Sequence, residues 1–335
     1  MGEQVNNLYS TEVLIPNQSR LAKEQGLRDA LRKVVVKLTG NSKLASADEL
    51  VEALNNLDDY IEVWGYWEAL DTTLNNLEKL GLKVSFSPTV MERFLRVQKF
   101  PLLPSNRPLI LLWILSDDLE LGRQFVNIQT QPNIVNLVKN KLDQRGIPFV
   151  FPNYDLEDAF ALPIQNAWRL DAEIIAEASQ RYESDVWLML RFYKTSTGKI
   201  RGAWLYQAAG VRKLGDYRSA NISDFLNVSL NKIIDEVADH YIFIPQTVQN
   251  RVLLTINGIS SYSDYKELIS NLTRLEFVKN IQTSEVYASR VSIAVDVEDE
   301  VHRLYKSLLR SGTFLPVVSE QSFDSGEIAL RWVKK

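Results

Sequence analysis

Three carboxylates, Asp155, Glu157 and Asp158, fall within four residues, shortly after the apolar run Phe149-Val-Phe-Pro152. At the carboxyl end of a strand in an open α/β sheet, such a cluster could hold a divalent cation or serve a metal-dependent hydrolysis. The same residues also suit a plainer role. An Asp just ahead of a helix caps it, and acids in the first turn complement the helix dipole. No histidine and no phosphate-binding glycine run stands beside them. Capping is therefore the preferred reading, and a metal-dependent hydrolase using these three acids is the alternative. Trp187, Arg191 and Tyr193 form a second candidate set. A period of two puts them with Met189 on one face of a strand, and Lys199-Ile-Arg-Gly-Ala-Trp204 follows as its hairpin mate. Aromatic and guanidinium groups on one face could stack on bases or sugars, or cover a neighbouring domain. The second is preferred. Tyr262, in Gly258-Ile-Ser-Ser-Tyr-Ser-Asp-Tyr265, is a third candidate for binding, in a loop where Ser263 or Asp264 could cap the following helix.

Other chemistry finds little support. The two histidines, His240 and His302, sit in separate helical stretches and read as surface residues. The nucleophile-elbow, Walker, dinucleotide and zinc-protease motifs are missing from the sequence. With no cysteine there are no disulfides, thiolate metal sites or cysteine nucleophiles. The expectation is a protein with no cofactor, no metal centre and no catalytic residues.

The 335 residues carry a net charge of −4 and are 45% hydrophobic and 24% charged, a balance that suits a globular protein of two or three domains. No strongly basic field favours nucleic acid, so that partner is not expected. Pro108-Leu-Ile-Leu-Leu-Trp-Ile-Leu115 is the longest apolar run. It falls far short of the roughly 20 residues that cross a bilayer and reads as a strand buried on both faces.

Periodicity divides the chain into three α/β parts, 1–104, 105–246 and 247–335. In the first, apolar spacing predicts a helix over Arg20–Leu38, with Ser19 as its cap and Gly40 past its end. A capping box, Ser46-Ala-Asp-Glu49, predicts a second helix to Leu57. Strands are expected at Tyr60–Trp67 and Leu82–Phe86, then a helix from Pro88. In the second part the order is strand Leu109–Leu115, helix Pro132–Arg145, strand Pro148–Phe151 and a helical stretch Asp155–Tyr182 broken near Pro163. Strands Val186–Tyr193, Ile200–Ala208 and Val211–Tyr217 and a helix from Ile222 to about Tyr241 complete it, implying a mixed sheet. The third part reads β-α-β-β-α-β, the ferredoxin-like order.

Several segments together resemble the family known as domain of unknown function 2066, uncharacterised exported proteins of Gram-negative bacteria. They are Leu8–Pro16, Leu38-Thr-Gly-Asn41, Leu82–Pro88, Asn106–Trp113, Asp155–Asp158 and Tyr182–Asp185. The resemblance spans the first two parts, with the ferredoxin-like part as an appended domain and Asp71–Leu80 as an added segment. It implies a periplasmic location, with a signal peptide lying outside this sequence although Met1–Ser10 has no apolar signal core; a cytoplasmic location is the alternative. The family offers no reaction to carry over. The functional expectation is a non-catalytic, protein-binding or scaffolding component of the cell envelope, whose partner is another envelope protein.

Overall fold

The computed structural model describes residues 3–5, 7–71, 77–245, 250–317 and 326–333. The chain is an α/β protein that divides into two compact units, one of residues 5–94 and 108–241, the other of residues 1–4, 95–107 and 242–335. The sequence-based division at 246–247 falls among residues outside those described.

The larger unit opens with strand β1 (Ser10–Leu14) and helix α1 (Arg20–Thr39). Ser19 caps α1 by accepting from the Ala22 N–H, and Gly40, left-handed at φ 71°, ends it. The capping box expected at Ser46 does not form. Ser46 belongs instead to a 3₁₀ turn, Ser42–Ser46, capped by Asn41, and its hydroxyl donates back to the Lys43 carbonyl. A further 3₁₀ turn and the short α2 (Val51–Asn55) take the place of the expected helix. Strands β2 (Ile61–Asp71) and β3 (Leu77–Phe86) follow as a hairpin longer than the aromatic run suggests, and β1 adds to it in the antiparallel order β1-β3-β2. Of the segment Asp71–Leu80, residues 72–76 lie outside the described residues and the rest continues the two strands. Leu82, Val84 and Phe86 are buried, and Leu82 with Val13 meets α1 at Gly26. Helix α3 (Pro88–Val97) closes this region.

The same unit holds a mixed sheet. Its strands are β4 (Ile110–Asp118), β5 (Gly122–Phe125), β6 (Phe149–Val150), β7 (Val186–Lys194), β8 (Ile200–Ala208) and β9 (Val211–Ser219). The order is β9-β8-β7-β4-β5, and β6 also pairs β4. β4 runs parallel to β6 and β7, and the other pairs are antiparallel. Ile110 to Ser116 are all buried, as an apolar run at the centre of a covered sheet must be. Helix α4 (Pro132–Arg145) links β5 to β6. The stretch after Asp155 is three helices, α5 (Leu156–Ala161), α6 (Ile164–Arg169) and α7 (Ala172–Ser179). The second break falls at Leu170, which is left-handed at φ 58°. These helices cover one face of β4 and β7, where Trp113, Leu115, Trp187 and Met189 join Leu162, Ala167 and Ile175 in one core cluster. Helix α8 (Ile222–Ala238) packs on β8 and β9, and its Phe225 ring meets Phe192 of β7.

In the smaller unit, β10 (Asn250–Asn257), α9 (Tyr262–Thr273), β11 (Val278–Tyr287), β12 (Arg290–Val297), α10 (Val301–Arg310) and β14 (Glu327–Trp332) keep the β-α-β-β-α-β order. A three-residue strand, β13 (Phe314–Pro316), is added before the last one. The sheet runs β11-β12-β10-β14-β13, so β13 takes the edge and β14 lies beside β10, parallel to it. Segment 95–107 belongs here. Arg96 pairs with Glu298, and the Ser105 N–H donates to Glu276 at 2.8 Å.

Candidate functional site

The three acids stand at the start of α5, where the chain turns from β6 into a helix. Asp155 is extended at φ −82° and ψ −174°, and its carboxylate accepts from the Asp158 N–H at 3.0 Å, which makes it the helix cap. The Arg181 guanidinium grips both Asp155 oxygens at 2.8 and 2.7 Å, reaches Asp158 at 2.9 Å and lies 3.3 Å from Glu157. Asp158 is buried, and its second oxygen accepts from the Tyr154 N–H at 2.7 Å and the Tyr182 hydroxyl at 2.5 Å. That hydroxyl in turn accepts from the Asn153 N–H at 2.9 Å. The hydrogen bonds from Arg181, followed by the one from the Asp158 N–H, hold the Asp155 carboxyl well below the usual carboxylate range. Burial, then the hydrogen bond to Asp158, pushes the Tyr182 phenol up to about 12. The carboxylates are thus committed to one guanidinium, one phenol and two backbone amides. Among the described residues no group of acids and histidines could hold a metal ion. The cluster does the work of a helix start.

The strand candidates separate. Trp187 lies in the core beneath α5–α7, because β7 is covered on both faces over its first half. Arg191 and Tyr193, further along the same face, emerge at the carboxyl end of the strand, and Tyr193 is exposed. There the cross-strand register sets two rows, Arg191–Ala203–Asp216 and Tyr193–Arg201–Arg218. Trp168 of α6 stands beside them. The Arg123 guanidinium is 4.5 Å and that of Arg191 5.0 Å from the centre of its indole. Arg191 also donates to the Trp168 carbonyl, and Arg123 pairs with Asp117 at 3.0 Å. Burial and then the neighbouring Arg123 charge lower the Arg191 pKa. A depression of about 260 Å³, open to solvent, is lined by Trp168, Arg191, Tyr193, Arg201, Asp216 and Arg218 among others. No local pattern in the sequence marks Trp168, Arg123 or Arg218. Trp168 arrives from α6, Arg123 from β5 and Arg218 from β9.

Tyr262 opens α9 in the smaller unit, exposed and stacked on Tyr265 at 6.3 Å, with the Lys266 ammonium 5.3 Å from its ring. The cap is Ser261 rather than Ser263 or Asp264. Ser261 and Asp264 exchange side-chain and backbone hydrogen bonds in a complete capping box.

A further surface was not singled out from the sequence. Among the described residues β2 pairs only with β3, at the edge of its sheet, and Val63, Trp64, Tyr66 and Trp67 along it are all exposed. Trp64 and Tyr66 meet edge to face at 5.5 Å, with the Lys23 ammonium 4.8 Å from the Trp64 ring. Trp67 lies over Gly81 of β3, where any side chain would collide with the indole.

Comparison with known proteins corrects the family resemblance. Residues 2–104 match the family described as "Domain of unknown function (DUF8605)", a domain distinct from domain of unknown function 2066. No curated protein matches the chain. Among solved structures, a competence-damaged protein (CinA) superfamily protein from Enterobacter cloacae is 10% identical, covers 40% of this chain and 82% of its own, and has a TM-score of 0.24. A member of that superfamily from Escherichia coli is 11% identical over 45% of this chain and 84% of its own, at a TM-score of 0.23. Lipoprotein GNA1162 from Neisseria meningitidis is 12% identical, with 39% and 99% covered and a TM-score of 0.21. Superposition this slight carries neither fold nor function to the present chain.

Proposed function

We propose that this chain is a non-catalytic binding or scaffolding protein of the cell envelope, which captures an extended segment of a partner protein along β2. The observation that carries the reading is the edge strand itself. Edge strands in natural proteins are commonly blunted by proline, lysine or a covering loop. The described part of β2 has neither residue, and an aromatic run fills its middle. An open edge offers main-chain hydrogen bonds, and its aromatic side chains offer the apolar contact that dominates protein interfaces. Exposed Glu62 and Glu68 bracket the aromatic run, so the favoured occupant is an extended apolar segment flanked by basic residues. The engagement of Asp155 and Asp158 with Arg181, Tyr182 and backbone amides also supports a non-catalytic role.

The test is fluorescence anisotropy with extended peptides of alternating valine and lysine against acidic counterparts. The basic set is expected to bind and to shift the tryptophan emission to the blue. Glu62→Lys with Glu68→Lys, on solvated side chains, is expected to weaken binding by about tenfold or more, since like charges then face each other across the pair. Equal binding by that variant, or by the acidic peptides, ends the reading. Fractionation of cells carrying the native protein tests the envelope location, and recovery in the cytosolic fraction ends that part.

A further inference from the structure

The two side-chain rows at the end of the mixed sheet have a consequence separate from the β2 edge. β4 and β7 are its long parallel pair, and both deliver their carboxyl ends to this place through Asp117 and Tyr193. Ligands of open α/β sheets bind outside the carboxyl ends of parallel strands. The small side chain of Ala203 separates Arg191 from Asp216 in the first row and leaves a gap. In the second row Arg201 faces Arg218 directly across the β8–β9 pair. Facing residues of neighbouring strands lie about 5 Å apart at Cβ, and diagonal ones about 7–8 Å, within reach of long side chains. Like charges directly opposite each other destabilise a sheet, so this pairing runs against the stability of the strand pair. With Arg123 engaged by Asp117, three guanidiniums, those of Arg191, Arg201 and Arg218, face one carboxylate, Asp216.

We propose that the depression bounded by Trp168, Arg191, Arg201 and Arg218 is a subsite for an oxyanion, the phosphate or carboxylate group of a small ligand. The planar fork of arginine matches both groups in bidentate fashion. At about 260 Å³ the space lies below the roughly 300–1,000 Å³ of pockets that enclose a drug-sized molecule, so it accommodates the anionic group and its immediate attachment. The exposed Tyr193 ring, beside Arg201, supplies an apolar wall for that attachment.

Isothermal titration of the full chain with pyrophosphate and, separately, with citrate tests this at about 0.15 M salt, where unspecific surface attraction is screened beyond roughly 8 Å. At least one probe is expected to bind saturably and to move the Trp168 indole N–H resonance. Pyrophosphate alone identifies a phosphate-bearing ligand and citrate alone a carboxylate-bearing one. Binding of both identifies a site for either oxyanion. Arg201→Gln and Arg218→Gln alter solvent-facing side chains, and each is expected to weaken the bound probe by about tenfold or more, the loss of a charged hydrogen bond. Lys199→Gln, in the adjoining turn, is the control and is expected to leave affinity unchanged. Absence of saturable binding by either probe, or equal affinity in the arginine variants, overturns the proposal.

Discussion

Tyr182 shows how closely one side chain is tied to the acids it meets. Its hydroxyl donates to a carboxylate that is buried and accepts from the Asn153 N–H, so Tyr182→Phe removes both hydrogen bonds while Arg181 and the Tyr154 N–H remain on Asp158. A loss of about 1–2 kcal/mol in denaturant unfolding is the expected result. The pH dependence follows from the raised phenol. A group whose folded pKa lies above its unfolded value of about 10 contributes fully below pH 10, and the contribution fades as pH climbs to about 12. Wild type is expected to lose stability over that window relative to Tyr182→Phe. Asp155 acts in the opposite sense, since its folded value is depressed. Its contribution is present above the unfolded value of about 3.9 and falls away in stronger acid. Because Arg181 already occupies the Asp155 oxygens, calcium or magnesium is expected to leave the melting temperature of the protein unchanged. A saturable rise would return the acids to the status of a cation site. The cap at Asp155 was legible because capping is local: residue type, position and the following apolar turn suffice. Its clamp was not. Arg181 stands 26 residues away, and no spacing rule joins it to Asp155.

At the scale of elements, the mixed sheet was readable where a strand is long enough to show a pattern or follows a turn signal, its edge strand β9 included, and opaque at its short edge strand β5. β4 announces itself by seven consecutive apolar residues, Leu109 to Leu115. β5 and β13, short strands beside turns, do not, because three or four residues hold no period. The register of β8 on β9 is set by the two-residue turn Ala209-Gly210, left-handed at φ 49° and 81°. That turn brings Arg201 to Arg218, and its Ala-Gly sequence is not the strong Asn-Gly signal. Packing of α8 on this sheet depends on a missing side chain. A Cβ on Gly202 would run into the Phe225 ring and the Arg191 carbonyl. Gly202→Ala is therefore expected to cost about 1–3 kcal/mol by overpacking and to disturb the neighbouring Arg191. Stability and oxyanion titration of that one variant read both effects, and unchanged stability would mean that α8 yields more readily than its buried ring suggests.

Over the whole molecule, the amino-terminal and central segments are joined by a knot that no local pattern foreshadows. Arg145, at the end of α4, is buried and donates to the Gly40 carbonyl at 2.7 Å, to Asn231 at 3.0 Å and to Asp235 at 2.5 Å. Asp235 also accepts from the Ser42 N–H at 2.9 Å. These partners lie between 86 and 193 residues apart in sequence. Arg145→Ala takes the counter-charge from Asp235, which keeps its hydrogen bonds from Ser42, and the donor from the carbonyl at the end of α1. A loss of about 3–5 kcal/mol is expected, the cost of breaking a buried pair from one side, and thermal unfolding measures it. A drop below about 1 kcal/mol would show that water replaces the guanidinium freely.

The placement of β14 bears on how the chain is made. Its register partners on β10, Leu253 to Asn257, leave the ribosome about 70 residues before Glu327 to Arg331. During that interval β10 has one flank unzipped, and β13, which pairs with β14, has no neighbour to lean on. Pairings so far apart along the chain close slowly. The nascent protein must therefore carry an unfilled slot inside this sheet until the strand that fills it has been translated. That interval is its window of exposure to proteases and to unwanted pairing with other chains.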